Sequence, residues 1–202
     1  MKSHVRILVC GDEKVGKSSL ISALVSQHFS RRVPPVMTDV NIPPDESDDG
    51  VSTTICDSSA DPKHRAELLQ KICEADAIVL LWDVERPDTY SHLGSFWLPL
   101  IAANTEVQPA GKEDGAVTGR LQGGLDATNS AQMDWLMERF GMVRAAFALE
   151  CSAKRLLGVA EVFQQAHSMA VYPMVPLYDI HKRQLRPAFS RAVRRIFRLN
   201  DL

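Results

Sequence analysis

The eight residues Gly11-Asp12-Glu13-Lys14-Val15-Gly16-Lys17-Ser18 constrain this chain most, because they stand between an apolar run and a segment of helical period. They read G-x-x-x-x-G-K-S, a loop whose main-chain amides cradle phosphate when it joins a strand to a helix. Upstream, Val5-Arg6-Ile7-Leu8-Val9-Cys10 has the β-branched, apolar character of a strand buried on both faces. Downstream, Leu20, Ile21, Leu24 and Val25 recur at helical spacing. Unpaired amides at a helix start, together with the helix dipole, favour an anion at that point. The candidate phosphate contacts are therefore Gly11, Lys14, Val15, Gly16, Lys17, Ser18 and Ser19. Lys17 is the residue expected to neutralise the outer phosphates and the charge on a transferred group, and the Ser18 hydroxyl to ligate Mg²⁺. This pattern implies a nucleoside polyphosphate as ligand.

The remaining residues bound the setting. A chain of 202 residues suits one α/β domain of ordinary size with some residues left over. Apolar residues make up 45%, enough for a real core, and the net charge of −2 argues against binding nucleic acid through bulk electrostatics. No run of 18 apolar residues occurs, so no membrane span is expected here. Met1-Lys2-Ser3-His4 leads straight into the first strand, leaving no room for a signal peptide or myristoylation site. Cys10, Cys56, Cys73 and Cys151 lie far apart, lack metal-ligand spacing, and read as buried thiols of a reducing, cytosol-facing compartment.

Strand-like runs alternate with amphipathic helices, the pattern of an α/β domain with a mostly parallel sheet covered on both faces. Val33-Pro34-Pro35 must be loop, since proline blocks both helix and central strand. Asp39 to Ile42 and Val51 to Cys56 read as two strands joined by a solvated acidic turn, Asp45 to Gly50. That turn opens like a calcium loop, but its twelfth position falls on Cys56 rather than Glu. Glu67 to Cys73 suits a helix, Ala77 to Asp83 a strand and Thr89 to Ala102 another helix. Residues 104–130 are polar, glycine-rich and aperiodic, with Ala116 to Leu121 a possible strand. Ser130 to Phe140 reads as helix, Arg144 to Cys151 as the last strand and Gly158 to Val171 as the last helix. The domain is thus expected to span 1–172.

Residues 173–202 change in character. Leu185, Phe189, Val193, Ile196 and Phe197 form an apolar stripe beside Arg191, Arg194, Arg195 and Arg198. A basic amphipathic helix of this kind suits an anionic membrane surface or, more often, a neighbouring domain covered by arginine stems. This segment reads as a linker and helix leading to a further domain.

Taken together, the chain resembles a Ras-like small GTPase, a P-loop NTPase fold, and specifically the N-terminal GTPase domain of the Miro (mitochondrial Rho) family. The resemblance rests on the phosphate loop, on Val33-Pro34-Pro35, on Trp97-Leu98-Pro99-Leu100-Ile101 and on Glu150-Cys151-Ser152-Ala153-Lys154. It continues through Pro176-Leu177-Tyr178-Asp179, Gln184-Leu185-Arg186-Pro187 and Arg195-Ile196-Phe197-Arg198-Leu199, with 104–130 as the gap. In that family the tail leads into EF-hand modules, which this chain does not contain.

The resemblance extends the candidate site. Asp57, at the end of a strand, is placed to hold Mg²⁺ across from Ser18. The family's D-x-x-G here reads Asp57-Ser58-Ser59-Ala60, and the next position, usually a water-orienting glutamine, is Asp61. A carboxylate there would repel phosphate oxygens, so slow hydrolysis is expected. Glu13 puts another side chain where many relatives have glycine. Thr38 lies where switch I should be, as a third Mg²⁺ ligand or a solvent-facing loop residue; Phe29 lies where relatives set an aromatic edge against guanine, or is a helix-end core residue. Ser152, Ala153 and Lys154 resemble the base-contacting loop, with a backbone amide for the guanine O6 and Lys154 under the sugar. The partner motif N-K-x-D is absent. Asp126 in Gly123-Gly124-Leu125-Asp126 has nearly the family's spacing to Ser152 and is the preferred substitute over Asp114 in Gly111-Lys112-Glu113-Asp114.

The resemblance implies a GTP/GDP- and Mg²⁺-dependent switch at the cytosolic face of the mitochondrial outer membrane. Its partners would be guanine nucleotide and protein effectors or motor adaptors, with the anchor outside these residues. Two rivals stay open on the same residues. One is a pseudo-GTPase scaffold, favoured by Asp61, Glu13, Ala60 and the missing N-K-x-D. The other is an ATP-using P-loop protein, which would explain that absence but not Ser152-Ala153-Lys154.

Overall fold

Alternation within each apolar run divides the core in two. A computed structural model describes residues 2–105, 115–121 and 146–172. Successive side chains of a strand point to opposite faces. In β1 (His4–Gly11) and β4 (Ala77–Asp83), Val5, Ile7, Val9, Ala77, Val79 and Leu81 therefore face one way. There they meet Leu20 and Ile21 of α1 (Lys17–Ser26) and Val162, Phe163 and Ala166 of α5 (Val159–Val171). Leu8, Cys10, Ile78, Leu80 and Trp82 face the other way, onto Leu68 and Ile72 of α2 (Arg65–Glu74) and onto a long helical segment that includes Trp97 and Ile101. Truncating a fully buried member such as Ile7 to alanine costs about 2–5 kcal/mol.

Six strands lie in the order β2-β3-β1-β4-β5-β6. β2 (Val40–Ile42) runs antiparallel to β3 (Ser52–Asp57), and every other pair is parallel. β5 (Gly115–Leu121) fills the place between β4 and β6 (Ala146–Cys151), pairing Ala77 with Gly115 on one side and Ala116 with Ala146 on the other. The weak strand signal at 116–121 is thus a full internal strand.

Two features differ from the sequence pattern, while the expected strand start at Arg144 lies outside the described residues. The segment expected as one helix from Thr89 is three pieces: α3 (Pro87–His92), a π turn (Leu93–Trp97) and α4 (Leu98–Thr105). Pro99 explains the π turn, because its ring has no N–H and crowds the carbonyl one turn back, so the register widens and Leu98 N–H reaches Leu93 O. The acidic turn is also not wholly solvated: the Asp49 carboxylate accepts from Ser47 and from Val51 N–H and bonds His167 Nε2 at 2.9 Å. His167 Nδ1 in turn bonds Thr53 Oγ1 at 2.7 Å, fastening the β2–β3 hairpin to α5. The helix expected at 130–140, Asp126, Asp114 and the basic tail lie outside the described residues.

From β1 the chain goes to β3 on one side of the sheet and later to β4 on the other. The carboxyl end of β1 is therefore the topological switch point, where open α/β sheets leave a crevice for ligands. Gly11, Asp57 and Asp83 end the three strands that border it.

Candidate functional site

The loop between β1 and α1 is shaped by backbone conformations that few residues accept. Gly11 has φ 141° and Gly16 φ 94°. A Cβ at Gly11 would lie 2.3 Å from the Leu81 carbonyl oxygen of β4, so only glycine lets the loop leave the sheet there. Lys14 also holds positive φ, at 63°. Gly16 caps α1 without any side-chain cap, so the first amides of the helix stay open to an anion.

Lys17 is buried, at 7% exposure, and its Nζ donates to the carbonyls of Gly11 and Asp12, both at 2.8 Å. An ammonium held inside a loop of main-chain amides is suited to meeting an anion there. Burial lowers the Lys17 pKa, opposed by the nearby carboxylates of Asp57, Asp12 and Glu13.

Facing it, Ser18 Oγ lies 2.6 Å from Asp57 Oδ2 and 3.0 Å from the Pro35 carbonyl oxygen. One hydroxyl hydrogen cannot serve both acceptors. Asp57 is fully buried, and among the described residues its carboxylate also accepts from the amides of Met37 and Ser58. Three oxygens gathered so closely, one of them an ionisable carboxylate, form a donor set suited to a hard divalent cation.

Other expected site residues are placed less directly. Thr38 is exposed, and the contacts of its loop to the Ser18–Asp57 pair come from Pro35 and Met37 main chain. Phe29 stands 37% exposed just beyond α1. Val15 is buried and Ser19 partly so, at the loop and the first helical turn. Glu13 points outward, at 80% side-chain exposure, rather than into the loop. Asp61, expected to face the phosphates, caps the short 3₁₀ turn Pro62–His64 by accepting from Lys63 N–H at 2.9 Å.

Beyond β6, Ser152 and Ala153 are buried and Lys154 is exposed. Main-chain bonds between Ser152 and Leu157 in both directions close this loop, and Gly158, at φ 65°, turns it into α5. The loop therefore ends a strand on the same sheet edge as the phosphate loop.

Two groups of contacts have no local sequence signal. Asp12 accepts from Trp97 Nε1 at 2.7 Å and pairs with His92 Nδ1 at 2.8 Å, while Arg86 Nη2 donates to the Glu13 carbonyl at 3.2 Å. Lys71 of α2 donates to the Asp57 carbonyl at 3.0 Å.

The sequence pattern of the Ras family matches residues 6–171. The chain belongs to the Ras family. This Ras-family GTPase domain is 36% identical over 207 residues to Mitochondrial Rho GTPase 1 of Mycosarcoma maydis, a match covering all of this chain and 26% of that protein. It is 34% identical to Mitochondrial Rho GTPase 1 of Cryptococcus neoformans var. neoformans over 98% of this chain and 29% of that one. The same name is carried by an Arabidopsis thaliana protein, 34% identical over 98% of this chain and 30% of its own length. The chain thus spans between a quarter and a third of these relatives. Its Ras-family standing assigns guanine nucleotide as its ligand class.

Proposed function

We propose that this domain is a Mg²⁺-dependent guanine-nucleotide switch with feeble intrinsic hydrolysis. The observation that carries the reading is the buried Lys17 ammonium, held by two phosphate-loop carbonyls, beside the Ser18–Asp57 oxygen cluster. Open amides from Lys14 to Ser19 would hold the phosphates, and Lys17 would stabilise charge on the outer ones. Ser18 and Asp57 would hold Mg²⁺, with Thr38 joining from its loop when a γ-phosphate is present; the ion would supply positive charge between the phosphate oxygens. Phe29 and the Ser152-Ala153-Lys154 loop would receive the base, with Asp126 as its acidic partner. Slow hydrolysis would follow from Ala60, which has no polar side chain, and from Asp61, whose carboxylate caps the turn after it. Mant-GDP and mant-GTP titrations with Mg²⁺, competed with excess ATP, test this; no micromolar guanine affinity, or equal displacement by ATP, would overturn it.

The relatives' names extend the reading. A domain of residues 1–172, followed by a linker and basic helix in 173–202, would form the first part of a longer mitochondrial protein. It would face the cytosol at the outer membrane and bind effectors or motor adaptors in a nucleotide-dependent way. A second reading, a scaffold that holds nucleotide without hydrolysing it, is favoured by the Asp61 cap. Single-turnover phosphate release separates the two: release above the protein-free rate, abolished by Lys17→Ala, supports the enzyme.

A further inference from the structure

Asp12 stands in a position where a carboxylate is a hazard. Its own carbonyl oxygen holds Lys17 Nζ at 2.8 Å, so its side chain branches from the wall of the phosphate cradle. Left free, that carboxylate would compete with phosphate for the Lys17 ammonium. It is instead turned onto the helical segment behind the loop. Trp97 Nε1 donates to Oδ1 at 2.7 Å, and His92 Nδ1 sits 2.8 Å from Oδ1 and 3.1 Å from Oδ2.

Both partners owe their position to the π turn. Residues five apart on a regular α-helix point about 140° from each other. The widened turn Leu93–Trp97 brings His92 and Trp97 round to the same carboxylate. Trp97 is 1% exposed and its indole N–H is a donor only, so an acceptor is obligatory. His92 is stacked on Phe96, with ring centroids 5.1 Å apart, and Arg65 at the start of α2 lies 5.7 Å over the Phe96 ring. The clamp is therefore braced from the helix that follows Asp57.

We propose that Asp12 is a positioning residue of the nucleotide site, its carboxylate clamped off the phosphate path by Trp97 and His92, so that the α3 π turn controls how long nucleotide is retained. The inference rests on the guanine-nucleotide reading and names a regulator of that site. A partner that pulled on the Trp97 turn would release the carboxylate into the cradle and promote nucleotide exchange.

The test uses the full chain, loaded with mant-GDP and Mg²⁺ and chased with excess GDP. Trp97→Phe removes the N–H and keeps most of the ring; it raises the dissociation rate on the order of tenfold, as expected for a lost charge-assisted hydrogen bond. Trp97→Phe combined with Asp12→Asn returns the rate toward wild type, because no charge remains to be turned away. The melting temperature stays lowered in the double variant, since the packing change persists, and this separates the clamp from a purely structural role. His92→Ala, at a half-exposed side chain, provides a second route if Trp97→Phe fails to fold: a smaller rise, again reversed by Asp12→Asn. Unchanged dissociation in Trp97→Phe or, where that variant is unfolded, in His92→Ala overturns the clamp. So does a rise that Asp12→Asn fails to reverse. Wild-type protein that does not retain mant-GDP overturns the nucleotide reading itself, and the clamp with it.

Discussion

Ser18 Oγ donates to Asp57 Oδ2 across 2.6 Å, joining the first turn of α1 to the last residue of β3 over a separation of 39 residues. The contact exists because β1 and β3 are parallel neighbours with Val9 opposite Asp57, so the loop leaving β1 begins beside the carboxylate. Asp57 is wholly buried, and among the described residues its carboxylate receives only a hydroxyl and two amides. A buried anion without a bonded cation is costly, and a bound metal ion would relieve that cost.

The pair therefore yields a metal-dependent prediction. Ser18→Ala and Asp57→Ala should each weaken GDP binding by about 10- to 100-fold in Mg²⁺, the equivalent of losing about 1.5–3 kcal/mol of charge-assisted bonding. Repeating the titration in EDTA should shrink the Ser18→Ala penalty to nearly nothing. A penalty of the same size without metal would show that the hydroxyl serves the loop rather than the ion.

Lys17 supplies a prediction of opposite sign for stability and for function. Burial lowers its pKa, so the charged form is disfavoured in the fold relative to the unfolded chain. That penalty is constant at neutral pH and is relieved only as pH rises into the window below 10.5, where the folded protein gives up the proton first. Lys17→Met should raise the melting temperature of the nucleotide-free protein at neutral pH and lose that advantage as pH rises toward 10. The same substitution should abolish the rise in melting temperature that GDP and Mg²⁺ produce in wild type. Scanning calorimetry with and without nucleotide reads both effects.

The phosphate loop and the sheet were legible because they depend on local pattern. β1 and β4 are apolar on both faces, and the glycines at 11 and 16 sit where positive φ is needed. β5 was faint, since Gly115, Gly119 and Arg120 interrupt an otherwise strand-like run, and its pairing with β4 and β6 rather than its composition makes it a strand. The π turn escaped the helical period because the cause, Pro99, lies after the distortion. The Asp12–Trp97 bond spans 85 residues, so no window of sequence contains it. Pro35 and Met37 meet the Ser18–Asp57 pair through main-chain atoms, which residue identity does not announce.

Two glycines with nearly the same φ should respond very differently to alanine. Gly158, at φ 65°, would bring a Cβ to 2.3 Å from the Glu150 carbonyl oxygen, whereas Gly50, at φ 71°, has nothing within 4 Å. Gly50→Ala should cost about 1 kcal/mol, the backbone strain alone. Gly158→Ala should cost several times more, because main chain must move as well, typically adding about 1–3 kcal/mol. It should also weaken guanine binding, since the displaced strand end carries Ser152 and Ala153. Urea unfolding of both variants checks the ratio; similar losses would mean that β6 yields freely.

The hairpin clamp gives a pH dependence. Bonds from Ser47, His167 and the Val51 amide pull the Asp49 pKa from 3.8 down to about 2. A carboxylate with a depressed folded pKa stabilises the fold above its unfolded value and stops doing so as pH falls through the folded one. Asp49→Asn should therefore melt lower than wild type at pH 7, with the gap closing between about pH 4 and pH 2. A gap that persists unchanged to pH 2 would place its origin in packing rather than in the charge.

Asp61 sets stability against catalysis. Its carboxylate caps the Pro62–His64 turn through Lys63 N–H, and N-caps of this kind are worth about 1 kcal/mol. While it does so, it is not aimed at a water, and its negative charge would repel phosphate oxygens. Glutamine keeps an amide oxygen near the cap but loses the charge, so Asp61→Gln should cost up to about 1 kcal/mol of stability. In return, single-turnover GTP hydrolysis should rise by about tenfold or more, as expected when a positioned polar group replaces a repelling one. Ala60→Gly added to it should raise the rate further, by freeing the amide before Asp61 to turn toward the γ-phosphate. If Asp61→Gln lowers stability and leaves the rate at the wild-type level, the slow step lies elsewhere, and the scaffold reading gains over the enzyme.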